Sequence, residues 1–190
     1  MYKITKRIFD IIFATVGILV FFPILVVVAI SVKLTSPGGV IYWSDRIGVN
    51  NTIFKMPKFR TMRLNTPSVA THLLEKPETY LTPIGSFLRK TSLDELPQFY
   101  SILKGDMSVV GPRPALYNQY DLIKLRTENG IHMLLPGMTG WAQVNGRDDI
   151  SIKEKVAIER VYLQRNNFFF DVRIILITIR NVISGKGISH

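Results

Sequence analysis

The chain contains no cysteine. Disulfides, thiolate nucleophiles and cysteine metal sites are therefore excluded. Histidine is scarce, and the three present, His72, His132 and His190, show no metal-ligand spacing. Acidic residues are few: 14 Asp+Glu face 24 Lys+Arg, for a formal charge of +10. Such a balance suits a polyanionic partner, whether nucleic acid, an anionic membrane surface or a phosphorylated substrate. No zinc-finger spacing or aromatic RNA-binding pattern accompanies the charge, which argues for no nucleic acid. The chain has no internal repeat, no interdomain linker and no alternating strand–helix series, so a doubly wound sheet is disfavoured. Its 190 residues suffice for one domain with a sizeable core.

What the chain does have begins with one long apolar run. A basic cluster, Lys3, Lys6 and Arg7, precedes residues 11–32, which carry no charge. That run is long enough to cross a bilayer. It is too long for a signal peptide, and no small-x-small cleavage pattern follows it. Pro23 sits at its middle, where a proline removes a hydrogen bond and kinks a helix. Lys33 follows, so both flanks are basic and the positive-inside rule sets no orientation for a straight span. A kinked helix entering and leaving on one face satisfies both flanks; a single-span anchor is the alternative.

Residues 35–63 change character. Ser36-Pro37-Gly38-Gly39 reads as a loop, and the spacing predicts a β-hairpin from Val40–Trp43 and Thr52–Lys55 around Gly48-Val49-Asn50-Asn51. Lys58, Arg60 and Arg63 then form a basic loop, either merely solvated or a phosphate contact. Residues 64–83 read as a loop with one short helix near Ala70–Glu75, in the length range of functional lids.

The most informative stretch is 82–114. Leu96, Phe99, Tyr100 and Leu103 recur at helical spacing, with Gly105 as C-cap. Ser92 with Glu95 matches a capping box, but that frame places Pro97 inside the helix. Taking Asp94 as N-cap moves Pro97 into the first turn and is preferred. It also sets Asp94-Glu95 at the positive helix end, which predicts a low pKa for Asp94. Alone, such a pair usually only caps a helix. Together with Arg89-Lys90 and the rigid turn Gly111-Pro112-Arg113-Pro114, it suits a phosphate ester and its metal.

Pro114 is expected to open a helix over 115–127 that ends at Asn129-Gly130, leaving Arg113 just before a helix N-terminus. Residues 136–147 form a glycine-rich loop in which Trp141 packs and Arg147 is either a surface arginine or a phosphate or nucleotide contact. Ser151 and Glu154 form a capping box for a helix to about Gln164. The last helix, about Asp171–Ile183, follows Phe168-Phe169-Phe170 and suits either a membrane interface or a buried core.

The run TSLDELPQFYSILKGDMSVVGPRP resembles the signature of the bacterial sugar transferases, also called monotopic phosphoglycosyl transferases. KRIFDI near the N-terminus, KFRTM at 58–62 and PGMTGWAQVNGR at 136–147 match the same family in the same order. The resemblance implies an α+β fold, mostly helical, with a small antiparallel β element. It implies a monotopic membrane protein: an N-terminal re-entrant helix over 1–34, and a cytoplasmic catalytic domain with interfacial amphipathic helices over 35–190. The family's helix break is a Ser-Pro pair; here Phe22-Pro23 keeps the proline and loses the hydroxyl.

The implied reaction moves a sugar 1-phosphate from a UDP-sugar to polyprenyl (undecaprenyl) phosphate and releases UMP. It would be the first membrane step of surface glycan assembly, on the cytoplasmic face of the bacterial inner membrane. By the same resemblance Asp94 is the nucleophile that carries the phospho-sugar, and Glu95 binds metal or handles a proton. Mg²⁺ is the implied cofactor, on Asp94 and Glu95. Lys58, Arg60, Arg89 and Arg113 contact substrate phosphate, and Arg147 the nucleotide or sugar. The reading from another class is a membrane-bound binding protein that holds anionic lipids or glycans, with Asp94-Glu95 as mere caps.

Overall fold

A computed structural model describes residues 2–67, 76–146 and 150–184. The short helix expected near Ala70–Glu75 lies outside them, apart from the loop residues on either side. The long apolar run forms α1, Tyr2–Thr35, and the helix continues through Pro23 without interruption. Among the described residues it is the one helix long and apolar enough to cross a bilayer. Its 34 residues span about 51 Å, well beyond a hydrocarbon core of about 30 Å.

Both ends of α1 are nevertheless fastened to the same domain. Near the N-terminus Arg7 donates to the carbonyls of Ile102 and Leu103 at 2.6 and 2.7 Å. The buried Asp10 carboxylate accepts from Val109 N at 2.9 Å and from Ser108 Oγ at 3.1 Å. Toward the C-terminus Val28 and Val32 pack with Phe59 and Leu88. The opposite face stays uncovered, with Ile8, Ile12, Leu19, Val20, Val27 and Leu34 exposed along its length. A helix held at both ends by one domain lies across that domain and leaves one apolar face uncovered.

The expected hairpin is present and longer than its sequence signals. Strand β1, Ile41–Ile47, pairs antiparallel with β2, Ile53–Phe59, and Tyr42 faces Lys58. Asn50 and Asn51 take positive φ in the connecting turn, a conformation asparagine tolerates better than most residues. Lys58 therefore stands in a strand rather than in the expected basic loop. Helix α2, Gly85–Lys90, follows, then a 3-10 turn over Leu93–Glu95, then α3, Gln98–Lys104, closed by Gly105 in the left-handed region. Asp94 is thus not an N-cap; Pro97 occupies that position, and the chain enters the turn through Ser92 at a φ of 56°.

A second sheet was not apparent from the sequence. Strand β3, Ser108–Val110, pairs in parallel with β4, Gly137–Thr139. The helix expected from Pro114 begins later, as α4, Tyr120–Glu128, and Gly130 ends its turn at a φ of 73°. Residues 115–116 instead lie against β1: Ile47 N donates to Ala115 O at 2.9 Å, and Leu116 bridges to Arg46. Helix α5, Trp141–Val144, leads to α6, Ile152–Arg165, which opens with the expected Ser151–Glu154 capping box. The last helix, α7, is Phe168–Ile183; the three phenylalanines lie inside it, after the N-cap Asn167. Its two faces divide the alternatives left by the sequence. Ile174 and Asp171 are buried, while Phe169, Leu176, Ile179 and Val182 are exposed.

The main core gathers Phe54, Met56, Phe99, Ile102, Met107 and Ile174, with Phe9, Phe13 and Phe21 of α1 packed on it. A Cβ on Gly17 would meet the Phe99 ring at 2.8 Å, so this glycine sets how closely α1 approaches α3. Mostly helical, with a small antiparallel sheet, the fold is the expected α+β class.

Candidate active site

Strand alternation builds one wall of the site. Residues facing each other across the hairpin share a side, so Tyr42, Ser44 and Arg46 lie on the same face as Lys58, Met56 and Phe54. Phe54 and Met56 enter the core. That burial carries the neighbouring Lys58 inward against the 3-10 turn. Lys58 Nζ lies 2.7 Å from Glu95 Oε1 and 3.9 Å from Asp94 Oδ2. Arg113 Nη2 reaches the same Glu95 oxygen at 3.0 Å.

Arg113 is placed by an interlock of backbones. Gly111 N donates to Thr139 O, and Gly137 N donates to Pro112 O, both at 2.8 Å. Neither segment has room for a side chain at the crossing. A Cβ on Gly137 would come within 2.0 Å of Gly111 N, and one on Gly140 within 2.0 Å of Gly111 O. Gly137→Ala must therefore displace main chain. It is expected to cost about 3 kcal/mol of stability, read as a lowered unfolding temperature, and to weaken any activity that depends on Arg113. An unchanged unfolding temperature would refute this account of the interlock.

Burial and charge act differently on the two carboxylates. Burial pushes the Asp94 carboxyl up, Lys58 pulls it down, and adjacent Glu95 pushes it up again; the net is a rise. This reverses the low value expected from a helix end, because Asp94 is only 7% exposed and does not cap a helix. Burial pushes Glu95 up as well, but Lys58 and Arg113 together outweigh it and hold this carboxyl well below the usual glutamate range. Arg89, at the end of α2, donates from Nε to Thr61 Oγ1 at 3.1 Å, and its charge acts on Asp94.

Not every expected residue joins this group. The buried Arg60 donates to Gly39 O at 2.7 Å and to Ser36 O and Oγ at 3.0 Å. It is a staple between β2 and the end of α1. Arg147 lies outside the described residues. Pro23 lies on α1, away from the hydrogen bonds of the carboxylate group.

Arg46 was missed. Its Nε donates to Ser44 Oγ at 3.0 Å and its Nη1 to Pro114 O at 3.1 Å. Burial, reinforced by Arg113, lowers its pKa to about 10. The signal that would have found it is the hairpin register, which puts residue 46 on the Lys58 face. Lys58, Arg46, Arg89 and Arg113 outnumber Asp94 and Glu95, so the site carries net positive charge and suits an anion richer in charge than the carboxylates themselves.

Among the described residues no group of three or more His, Cys, Asp or Glu forms a metal cage. The adjacent carboxylates fit a different mode. Mg²⁺ is commonly held by one or two carboxylates and completes its octahedron with water and substrate phosphate oxygens.

A family model described as "Bacterial sugar transferase" matches residues 1–185. The UDP-glucose:undecaprenyl-phosphate glucose-1-phosphate transferase of Escherichia coli (strain K12) is 38% identical over 185 residues, covering 93% of this chain and 40% of that protein. The UDP-N-acetylgalactosamine-undecaprenyl-phosphate N-acetylgalactosaminephosphotransferase of Aeromonas hydrophila is 34% identical over 193 residues, 98% of this chain and 45% of that protein. A shorter relative, described as "Uncharacterized sugar transferase EpsL", comes from Bacillus subtilis (strain 168). It is 38% identical over 194 residues, 98% of this chain and 91% of that protein. The chain thus spans less than half the length of the two longer relatives.

Proposed function

The chain belongs to the bacterial sugar transferase family, and from that premise we propose that it moves a sugar 1-phosphate from a UDP-sugar to polyprenyl phosphate, releasing UMP. The observation that carries the reading is the buried Asp94-Glu95 pair inside a cage of excess positive charge, in a domain that presents an uncovered apolar helix. A soluble anionic donor and a lipid-bound anionic acceptor meet at such a place.

In this reading an Asp94 carboxylate oxygen attacks the sugar-linked phosphorus, and the bond from that phosphorus to the bridging oxygen breaks. The bridging electron pair leaves on UMP, and Asp94 holds the sugar phosphate as an acyl phosphate. Carboxylate nucleophiles of this kind form aspartyl phosphates elsewhere. A phosphate oxygen of the lipid then attacks the same phosphorus and frees Asp94. No proton transfer is needed in either step when both nucleophiles are ionised. Glu95, held ionised by Lys58 and Arg113, is suited to fixing cations rather than to carrying a proton. Mg²⁺, held by Asp94 and Glu95 with the donor's phosphates, would neutralise charge as the diphosphate approaches. Lys58 and Arg113 do so from the protein side.

Membrane association places the exposed faces of α1 and α7 in the lipid, with α1 entering and leaving on the cytoplasmic side of the bacterial inner membrane, where UDP-sugars are found. The reaction is then the first membrane step of surface glycan assembly. The test is UMP release by the detergent-solubilised protein with Mg²⁺, polyprenyl phosphate and a panel of UDP-sugars. Release that needs both the lipid and one donor is the expected result. No release with any donor, at protein shown to bind membrane, would leave a binding protein and overturn the reading.

The electrostatics set a pH dependence. Only ionised Asp94 attacks, and its pKa is raised, so kcat/KM is expected to fall on the acid side at a pH above the ordinary aspartate range. Glu95 contributes to that rise, so Glu95→Gln should move the acid limb to lower pH while reducing the rate. A limb that stays in place would separate it from the carboxylate pair.

A further inference from the structure

Arg46 is a part-buried cation that the reaction above does not use. Its Nε and Nη1 are committed to Ser44 Oγ and Pro114 O, and among the described residues no acceptor takes its Nη2 hydrogens. This hydrogen bond ties Arg46 to the residue after Arg113, and the Arg113 charge opposes its own. The carboxylate that favours the Arg46 charge, Glu95, is already shared by Lys58 and Arg113. Like charges held together in a partly dry site are stabilised by an anion between them.

The order of the charges identifies which anion. Lys58 stands next to Asp94, both Lys58 and Arg113 hold Glu95, and Arg46, hydrogen-bonded to Pro114 O, is the cation on which Arg113 and Glu95 act, whereas Lys58, Arg89 and Arg113 are the cations that act on Asp94. A diphosphate laid along these cations puts the phosphorus under attack at Asp94 and the other phosphate at Arg46. We infer that Arg46 is a substrate-binding residue for the departing nucleoside monophosphate, its free guanidinium edge taking the phosphate that leaves. When the bridging bond breaks, the electron pair and its negative charge arrive on that phosphate, where Arg46 and Arg113 stand ready for it. Ser44 and Pro114 act as positioning groups for this edge.

The inference rests on the proposed transfer reaction, and its test separates the two. The full chain in detergent is titrated with UMP and, separately, with uridine, which has the same base and sugar but no phosphate. Arg46→Met is expected to weaken UMP at least tenfold and to leave uridine unchanged. Arg46→Lys, which keeps the charge but not the fork, should fall between. Ser44→Ala, which removes the acceptor of Nε and little volume, should weaken UMP several-fold and guards against misfolding of the arginine variants. Wild-type affinity for UMP in Arg46→Met, or equal loss of UMP and uridine in both Arg46→Met and Ser44→Ala, would overturn the assignment. Where wild-type protein turns over UDP-sugar and the variant still binds UMP normally, only this inference falls. Where wild-type protein neither turns over nor binds UMP, the proposed function falls with it.

Discussion

Asp94→Asn should abolish the covalent sugar-phosphate adduct and lower turnover by about a thousandfold or more, at least ~4 kcal/mol in the barrier, while leaving the fold as stable or more so. The two halves of this expectation have one cause. Burial and the adjacent Glu95 raise the Asp94 carboxyl, so its charged form is costly in the folded state. The sign is that of a raised folded pKa: the contribution of Asp94 to stability is present at low pH and is lost as pH rises through the folded value. An uncharged amide of the same shape avoids that loss at neutral pH but offers no nucleophile. Intact mass spectrometry after incubation with Mg²⁺ and the cognate UDP-sugar, without lipid, reads the adduct, and thermal unfolding reads the stability. An adduct of one sugar phosphate on the Asn variant would reject Asp94 as the attacking group. A lowered unfolding temperature would reject the account of its burial.

How much of this was legible beforehand depended on how local the cause was. The hairpin, the Ser151–Glu154 box and the glycine stops at Gly105 and Gly130 follow from residues a few positions apart, and they form as the sequence leads one to expect. The carboxylate pair and Arg113 were recognisable as site residues, but their setting was not. Asp94 has every local feature of an N-cap. Ser92 in a left-handed conformation and Pro97 at the start of α3 turn it inward instead, and only the tertiary fit of Lys58 and Arg113 makes that turn worthwhile. The pairing of β3 with β4 joins two three-residue strands far apart in sequence, too short to show a period of two. Arg46 is a similar case, since its place beside Pro114 depends on the hairpin register and on residues 115–116 lying along β1. Arg60 shows the converse: it sits in a family motif, yet the structure spends its guanidinium on the Ser36–Gly39 turn.

Lys58→Met should be nearly as damaging, through charge rather than nucleophile. Lys58 is the group that holds both carboxylates, at 2.7 Å from Glu95 and 3.9 Å from Asp94. Its own ammonium is disfavoured by burial and is kept in place by the carboxylates it serves. Methionine fills a similar apolar volume and so tests the charge more than the packing. A preorganised cation facing the reacting phosphate is worth ~10²–10³ in rate, or ~3–4 kcal/mol, and turnover should fall by that amount. The pH profile distinguishes this cause from a loosened fold. Without Lys58 the Asp94 carboxyl rises further, so the acid limb of kcat/KM moves to higher pH, opposite to the shift expected for Glu95→Gln. Stability moves in step. Glu95 has a depressed folded pKa, so its contribution is present above the unfolded value and is lost as pH falls through the folded one. Weakening that depression brings acid unfolding to higher pH. A variant that loses activity with the acid limb and the acid unfolding both unmoved would mean that Lys58 contacts substrate alone and has no hold on the carboxylates.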